Sequence, residues 1–144
     1  MSKISVLMSV YKKENPEYLR ASLESILVQT RTADEILLIE DGPLTQELYQ
    51  VVAEYQKKCD YLHVHAMEQN VQLGRALAKG VELCQYDLIA RMDTDDIAMP
   101  DRLEKEGAYM EAHPEVNVVG GAIREFNDEG TIDRVKNMPK TQEE

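Results

Sequence analysis

Short apolar runs and helix-like apolar stripes take turns along most of this chain. The runs cover Ile4–Val10, Glu35–Glu40, Leu62–Ala66, 86–92 and 116–121, and each is short and rich in Val, Ile or Leu. Such runs are typical of β-strands that are buried in a sheet. The pattern therefore predicts five strands, separated by four segments of a different period.

The intervening segments have the period of amphipathic helices. Asn15-Pro16 is a start signal, an N-cap residue followed by proline, and Thr45 is a candidate cap for the second helix. The third segment runs over 73–84, and the fourth opens at Pro100 and stops before His113-Pro114. The apolar stripes that define the first three helices are Leu19, Leu23, Ile26, Leu27; Leu48, Val51, Val52, Tyr55; and Leu73, Leu77, Val81, Cys84.

Strand and helix in alternation predict an α/β fold with a mostly parallel, Rossmann-like sheet and helices on both faces. Ligands of such sheets bind beyond the carboxyl ends of the strands. Polar residues follow four of the predicted strands, so they converge on one rim: Ser9-Val10-Tyr11, Glu40-Asp41-Gly42-Pro43, Glu68-Gln69-Asn70 and Asp93-Thr94-Asp95-Asp96.

The chain of 144 residues has the length of one packed domain, which we expect to span residues 1–121. Beyond it the pattern weakens. Residues 123–126 read as a strand and 127–130 as a turn, so 122–144 are expected to form a hairpin and a polar tail that starts near Lys136.

The Asp93-Thr94-Asp95-Asp96 stretch carries the strongest chemical signal. Three carboxylates at the end of a buried strand repel one another unless a cation or hydrogen-bond donors offset them. Carboxylate oxygens suit hard divalent ions such as Mg²⁺ or Mn²⁺, which commonly keep positions open for substrate phosphates. The cluster therefore predicts a metal site with a phosphate-bearing ligand.

Charge and composition exclude several classes of protein. With 16 Lys and Arg against 27 Asp and Glu, the net charge is −11, which argues against nucleic acid as a partner. No window approaches the roughly 18 to 20 apolar residues of a spanning helix. Cys59 and Cys84 lack the spacing of a zinc site or a redox pair and are expected to be small buried hydrophobes.

The acidic residues at the rim allow other interpretations than a metal site for a phosphate-bearing ligand. Residues 93–104 match acids of a calcium-binding loop at three positions, but Ile97, Ala98 and Pro100 break that pattern. A solvated acidic turn without a ligand is the simpler alternative. A phosphoacceptor domain would have acids after the first strand, where this chain has Tyr11-Lys12-Lys13, and no G-x-G-x-x-G motif supports a dinucleotide-binding oxidoreductase.

Four motifs, in this order, resemble those of family 2 glycosyltransferases, which have the GT-A fold. They are Ser-Val-Leu-Met-Ser-Val-Tyr at 5–11, Glu-Asp-Gly at 40–42, Asn-Val-Gln-Leu-Gly at 70–74, and Ala-Arg-Met-Asp-Thr-Asp-Asp at 90–96 followed by Pro-Asp-Arg-Leu at 100–103. The resemblance covers roughly residues 4–121. The Glu-Asp-Gly-Pro-Leu-Thr variant is similar to bacterial members that build capsule, O-antigen or exopolysaccharide units.

The resemblance implies roles for particular residues. It assigns Ser9, Tyr11 and Asp41 to the nucleotide base, where an aspartate can accept from a base N–H and a tyrosine can lie against the ring. It assigns Asp93 and Asp95 to the ribose and to a metal ion, Mn²⁺ or Mg²⁺, on the diphosphate, with Asp95 the stronger ligand. Further candidates for base, ribose or phosphate contacts are Asn70, Arg75, Lys79 and Arg91.

The implied reaction is inverting, metal-dependent transfer of a sugar from a nucleotide-diphosphate sugar, with a UDP-sugar as the expected donor. The acceptor would be a saccharide or a lipid-linked saccharide, which places the protein in the cytoplasm or at the inner face of the membrane. Only 48 residues (144 minus 96) follow Asp96, and neither Glu125 nor Asp128 has the context of the family's catalytic base. We therefore expect the base beyond Glu144. The alternative is a nucleotide-sugar binding fragment without transferase activity, and the sequence assigns neither the sugar nor the oligomeric state.

Overall fold

The computed structural model describes residues 2–120 and the backbone of two later strands. Strands and helices alternate in the first part, as the sequence predicts. The elements are β1 (Ile4–Val10), α1 (Pro16–Leu27), β2 (Glu35–Glu40), α2 (Gln46–Lys58), β3 (Leu62–Ala66), α3 (Leu73–Leu83), β4 (Leu88–Arg91), α4 (Arg102–Ala112), β5 (Ile123–Asn127) and β6 (Gly130–Lys136).

The first four strands form one parallel sheet in the order β3-β2-β1-β4. β1 lies in the middle and pairs with β2 from Ser5 to Val10 and with β4 from Ile4 to Leu7. The predicted α/β fold with a mostly parallel sheet is confirmed. All four carboxyl ends consequently meet at one edge, where the polar motifs were expected to converge.

Alternate side chains of the sheet enter two separate cores, which confirms helices on both faces. The larger core packs Val6, Met8 and Leu38 against residues of α1, α2 and α4. The smaller core packs Leu7, Leu37 and Ile39 against Ala76 of α3. Nearly every strand residue of β1 and β2 is buried because both of their faces are covered.

Side-chain caps begin the first two helices where the sequence predicts them. The Asn15 carboxamide oxygen accepts from the Glu17 N–H at 2.8 Å, and the Thr45 hydroxyl accepts from the Leu48 N–H at 3.3 Å. These caps satisfy backbone donors that have no partner inside the helix. The apolar stripes of both helices are buried as expected, apart from the half-buried Leu27.

The buried face of α3 differs from the predicted stripe. Leu73 and Val81 are exposed, and the sheet is contacted instead by Ala76 and Gly80. A Cβ atom built on Gly80 would lie 2.3 Å from the Leu7 side chain, so glycine allows the helix to approach the sheet closely. The prediction was half right: Leu77 and Cys84 are partly buried against the smaller core, whereas Leu73 and Val81 are not, because the small residues Ala76 and Gly80 decide which face can reach the sheet.

The predicted fifth strand is absent from the described residues. Residues 116–120 form no strand, and Val118 is 80% exposed. β4 is also shorter than the predicted 86–92 and only half-buried, since it pairs with β1 on one side alone. An apolar run becomes a strand only when its backbone groups pair with a neighbouring strand, and within the described part residues 116–120 do not pair with the free edge of β4.

The hairpin expected after residue 121 is present. β5 and β6 pair antiparallel, and β6 continues to Lys136, where the sequence suggested that a polar tail begins. Residues 137–144, Asp128 and the boundary at residue 121 lie outside the described part. The division into 1–121 and 122–144 therefore stays a prediction. No helix among the described residues is long and apolar enough to cross a bilayer.

A buried carboxylate holds the edge of the sheet opposite the polar rim. Glu35 is 2% exposed, and its Oε1 accepts from the Ser5 hydroxyl at 2.7 Å and from the Gln85 N–H at 2.9 Å. The Ser5 hydroxyl accepts in turn from the Tyr86 N–H at 3.3 Å. Glu35 thus fixes the connection between α3 and β4 onto the first two strands.

We expect Glu35→Ala to lower the free energy of unfolding by about 2 to 3 kcal/mol, because it leaves buried donors without an acceptor. Glu35→Gln, which keeps an oxygen at this position, should cost about 1 kcal/mol or less. Urea unfolding of both variants checks the expectation. Equal stabilities for the alanine variant and the wild type would show that the carboxylate does not hold this connection.

Candidate functional site

A cavity of about 440 Å³ opens at the carboxyl edge of the sheet. Its walls are formed by the carboxyl-terminal end of β1 and by the segments that follow the four strands of the parallel sheet. Most of the polar residues that the sequence singled out line it. The lining residues are Ser9, Tyr11, Glu14, Asp41, Asn70, Gln72, Leu73, Asp93, Thr94 and Asp95.

Asp41 joins two of these segments. It is 4% exposed; one carboxylate oxygen accepts from the Val71 N–H at 2.7 Å, and the other accepts from the Asn70 side-chain amide at 3.3 Å. The Asn70 amide also donates to the Asp41 main-chain oxygen at 3.2 Å. Asp41 therefore fixes the loop between β3 and α3 against the end of β2.

Gly42 makes this close approach possible. Its φ of 88° belongs to the left-handed region that favours glycine, and an added Cβ would lie 2.6 Å from the Asn70 backbone nitrogen. A side chain at this position would push the two loops apart. The Asp-Gly pair therefore supplies both the hydrogen-bond acceptor and the space that the joint needs.

Three carboxylates lie together at the other side of the cavity. Ligand oxygens of Asp93, Asp95 and Asp96 all lie within 4.8 Å of one another, with Asp93 half-buried and the other two exposed. Oxygen-only ligands at this spacing are what a hard divalent ion such as Mg²⁺ or Mn²⁺ prefers. The residues present fit such an ion, and the set includes Asp96, which belongs to the predicted acidic cluster although the family resemblance assigns only Asp93 and Asp95.

Buried residues next to the acids hold the acidic loop so that its carboxylates point outward. Met92 and Thr94, on either side of the half-buried Asp93, are both buried, and the Met92 N–H donates to the Leu7 carbonyl at 3.0 Å. The Thr94 hydroxyl donates to the Glu14 carboxylate, and the Ser22 hydroxyl donates to the Asp93 carbonyl at 3.2 Å. These hydrogen bonds connect the acidic loop to β1, to the segment that follows β1 and to α1.

The electrostatics of the cluster favour a cation. Burial, together with the carboxylates of Asp95 and Asp93, raises the pKa of Asp96 above its usual range, although Arg102 and Arg91 act in the opposite direction. A positive ion between the carboxylates would relieve this repulsion.

Not all predicted site residues enter the cavity. Ser9, Tyr11, Asp41, Asn70, Asp93 and Asp95 do, and Tyr11 is 45% exposed there. Arg75 and Lys79 are not part of its lining, and Lys79 pairs with Glu82 at 3.7 Å. Arg91 pairs with Asp93 at 3.3 Å and lines a second groove, of about 420 Å³, between β4 and α4.

Sequence reasoning missed three polar lining residues, Glu14, Gln72 and Thr94. Thr94 lies inside the acidic stretch that the sequence singled out, but its buried position depends on the turn that it forms with Asp95. Glu14 and Gln72 had no signal in the sequence, since their roles depend on contacts and backbone angles that no spacing rule reveals.

Comparison with known proteins gives a family match. The model of the family described as "Glycosyl transferase family 2" matches residues 5–144. The amylovoran biosynthesis glycosyltransferase AmsE of Erwinia amylovora is 46% identical over 94% of this chain and 50% of its own length. The UDP-Gal:alpha-D-GlcNAc-diphosphoundecaprenol beta-1,3-galactosyltransferase of Escherichia coli is 35% identical over 92% of this chain and 50% of its own length. The chain spans about half the length of the curated relatives it matches.

The fold has the same kind of match among solved structures. TarS of S. aureus, solved as residues 1–349 in complex with UDP-GlcNAc, superposes with a TM-score of 0.68 at 20% identity, over 86% of this chain and 40% of that one. This likeness supports the GT-A type of α/β fold. Together with the family match over residues 5–144, it leads to one conclusion: the chain belongs to glycosyltransferase family 2.

Proposed function

We propose that the protein transfers a sugar from a nucleotide-diphosphate sugar, with a UDP-sugar as donor, to an acceptor in bacterial polysaccharide biosynthesis. The observation that carries the proposal is the cavity itself. It brings Asp41 and Asn70, where we place the nucleoside, together with the carboxylates of Asp93 and Asp95, which suit a metal-bound diphosphate. A UDP donor is supported by the names of the galactosyltransferase and of the TarS complex.

The nucleoside end has both polar and aromatic groups. Tyr11 presents an exposed ring that can lie against a base, while Ser9 and Asn70 offer polar atoms to the base or ribose. The two Asp41 oxygens already hold the neighbouring loop, so Asp41 fixes the wall of the base site as well as facing it. Arg75, in the first turn of α3, is an exposed cation within the same segment and a candidate phosphate contact.

At the diphosphate end, Asp93, Asp95 and Asp96 would hold Mn²⁺ or Mg²⁺. When bound, the ion supplies positive charge that stabilises the leaving nucleoside diphosphate. A metal suits this chain because no Lys or Arg is among the described residues that line the cavity. Asp95 is the most accessible choice for the main ligand, since Asp93 already pairs with Arg91.

The transfer would invert the anomeric centre, with an acceptor hydroxyl attacking from the side opposite the diphosphate. The name of the Escherichia coli relative supports a lipid-linked saccharide as acceptor, and such an acceptor would bring the protein to the inner face of the membrane. We assign no catalytic base. Asp128 and the Glu125 side chain lie outside the described part of the chain.

One observation favours the alternative of donor binding without transfer by this chain. Among the described residues, the carboxylates that line the cavity belong to Glu14, Asp41, Asp93 and Asp95. Glu14 and Asp41 already hold neighbouring loops, and the other two belong to the cluster proposed for the metal. None of the four is free to take a proton from an acceptor.

Thermal unfolding with UDP and Mn²⁺, separately and together, tests donor binding. A ligand at a hundredfold excess over its Kd stabilises the native state by about 2.7 kcal/mol. We expect the pair to raise the melting temperature by more than the sum of the separate shifts, and EDTA to cancel the excess. ATP with Mn²⁺ serves as the control. A UDP shift that is unaffected by EDTA would contradict metal-dependent binding.

A release assay separates the two functions. UDP release from a panel of UDP-sugars is measured with and without lipid-linked saccharide acceptors. Release that requires an acceptor would identify a transferase, whereas metal-dependent binding without acceptor-stimulated release would identify a donor-binding chain.

A further inference from the structure

Gln72 has a backbone conformation that is normally reserved for glycine. Its φ is 73° and its ψ is 160°, and it is the single non-glycine residue with positive φ in the part of the chain that the structure describes. Side chains with a Cβ atom rarely occupy this region, because the Cβ collides with the backbone. A glycine here would remove that cost, so the glutamine side chain is present in spite of it.

Contacts on both sides hold Gln72 in this conformation. Before it, the Val71 N–H and the Asn70 amide are bound to Asp41. After it, the Gln72 carbonyl accepts from the Ala76 N–H at 3.0 Å and starts α3. The chain must turn from a fixed loop into a fixed helix within one residue, which explains how the strained angles persist.

The glutamine side chain has no structural task within the described residues. It makes no capping hydrogen bond to α3, it is exposed, and its amide has no hydrogen-bond partner there. It does, however, line the cavity beside Asn70 and Leu73. A free amide at a cavity wall can offer its hydrogen-bonding groups to a ligand, and the fixed backbone saves the cost of ordering the loop, so that only the side chain has to be ordered on binding.

We propose that Gln72 is a specificity-determining residue whose amide contacts the nucleoside part of the donor; this inference rests on the function proposed above. In the sheet order β3-β2-β1-β4, the loop that carries Gln72 follows β3, whereas the acidic cluster follows β4 at the opposite edge. With the diphosphate at Asp93 and Asp95, the nucleoside extends toward Asp41 and this loop. A carboxamide offers both a donor and an acceptor to the edge of a base or to ribose hydroxyls.

Two substitutions in the intact protein separate the effect of the Gln72 side chain on UDP binding from the effect of the backbone strain on stability. Gln72→Ala removes the amide and keeps the strain, so UDP binding in the presence of Mn²⁺ should weaken about 3- to 10-fold with an unchanged melting temperature. Gln72→Gly also relieves the strain, so it should weaken UDP binding equally and raise the melting temperature by about 2 to 4 °C. Gln69→Ala, an exposed glutamine of the same loop outside the cavity lining, is the matched control and should change neither.

Titration calorimetry with UDP, UDP-glucose, UDP-galactose and UDP-GlcNAc provides the affinities. A similar loss for UDP and for the three UDP-sugars supports a nucleoside contact, whereas a loss confined to the UDP-sugars would overturn it. If Gln72→Ala bound UDP with wild-type affinity, the nucleoside contact of Gln72 would be overturned, while the proposed function would not. If Gln72→Gly had an unchanged melting temperature, the argument that Gln72 is held in a strained conformation would be overturned. If the wild type bound no UDP, the proposed function itself would fail.

Discussion

Replacing Asp95 by asparagine is expected to lower sugar transfer by the intact protein at least about 100-fold. Asp95 is exposed in the acidic cluster, and losing its charge weakens the hold on the ion that would stabilise the leaving diphosphate. Charge stabilisation by a bound metal is worth several kcal/mol, and each 1.36 kcal/mol corresponds to a factor of about ten in rate. Initial rates at saturating donor, measured over a series of Mn²⁺ concentrations, check the expectation.

The same variant should lose the extra thermal stabilisation that UDP and Mn²⁺ produce together, which tests metal binding without relying on activity. Asp101→Asn is the matched control, because Asp101 follows in the same segment, pairs with Lys105 at 2.8 Å and lies outside the cluster. We expect the control to retain the full shift. A full shift in Asp95→Asn would place the metal site elsewhere.

Gly42→Ala should have the largest effect on the fold of the site. The left-handed φ costs a residue with a side chain roughly 1 to 2 kcal/mol, and the contact with the Asn70 backbone adds overpacking of about 1 to 3 kcal/mol. We therefore expect about 2 to 5 kcal/mol of destabilisation in denaturant unfolding. UDP binding should weaken as well, since the joint between Asp41 and Asn70 opens.

Gly74→Ala provides the comparison for this prediction. A Cβ on Gly74 meets nothing within 4 Å, and Gly74 lies in α3, where alanine favours the helix. The variant should be as stable as the wild type or more stable by about 1 kcal/mol. Equal stabilities for Gly42→Ala and the wild type would mean that the two loops do not approach as closely as described.

The sequence predicts the sheet and its rim because both depend on local patterns. The runs at Ile4–Val10 and Glu35–Glu40 contain only two polar residues each and are otherwise apolar, as expected of central strands buried on both faces. Once these strands are parallel, the residues that follow them must meet at one edge. Asp41, Asn70 and Asp95 could therefore be placed near one another without knowledge of any contact.

The sequence does not predict features that depend on neighbours distant in the chain. Residues 116–120 have the composition of a strand but no partner, and α3 turns Gly80 toward the sheet because Leu7 fills the space there. Asp41 suggested a ligand contact, whereas its hydrogen bonds also fix the wall of the cavity. Gln72 was not nominated at all, since its importance lies in a backbone angle.

Anomalous X-ray diffraction from crystals of the protein grown with UDP and Mn²⁺ is the most direct test of metal-dependent donor binding in this cavity. If the proposed site is correct, the anomalous map shows manganese at about 2.0 to 2.3 Å from oxygens of Asp95 and its neighbouring carboxylates. The diphosphate then contacts the ion, and the base lies near Tyr11 and Asp41. Manganese away from the acidic cluster, or UDP bound outside the 440 Å³ cavity, would contradict the proposed site.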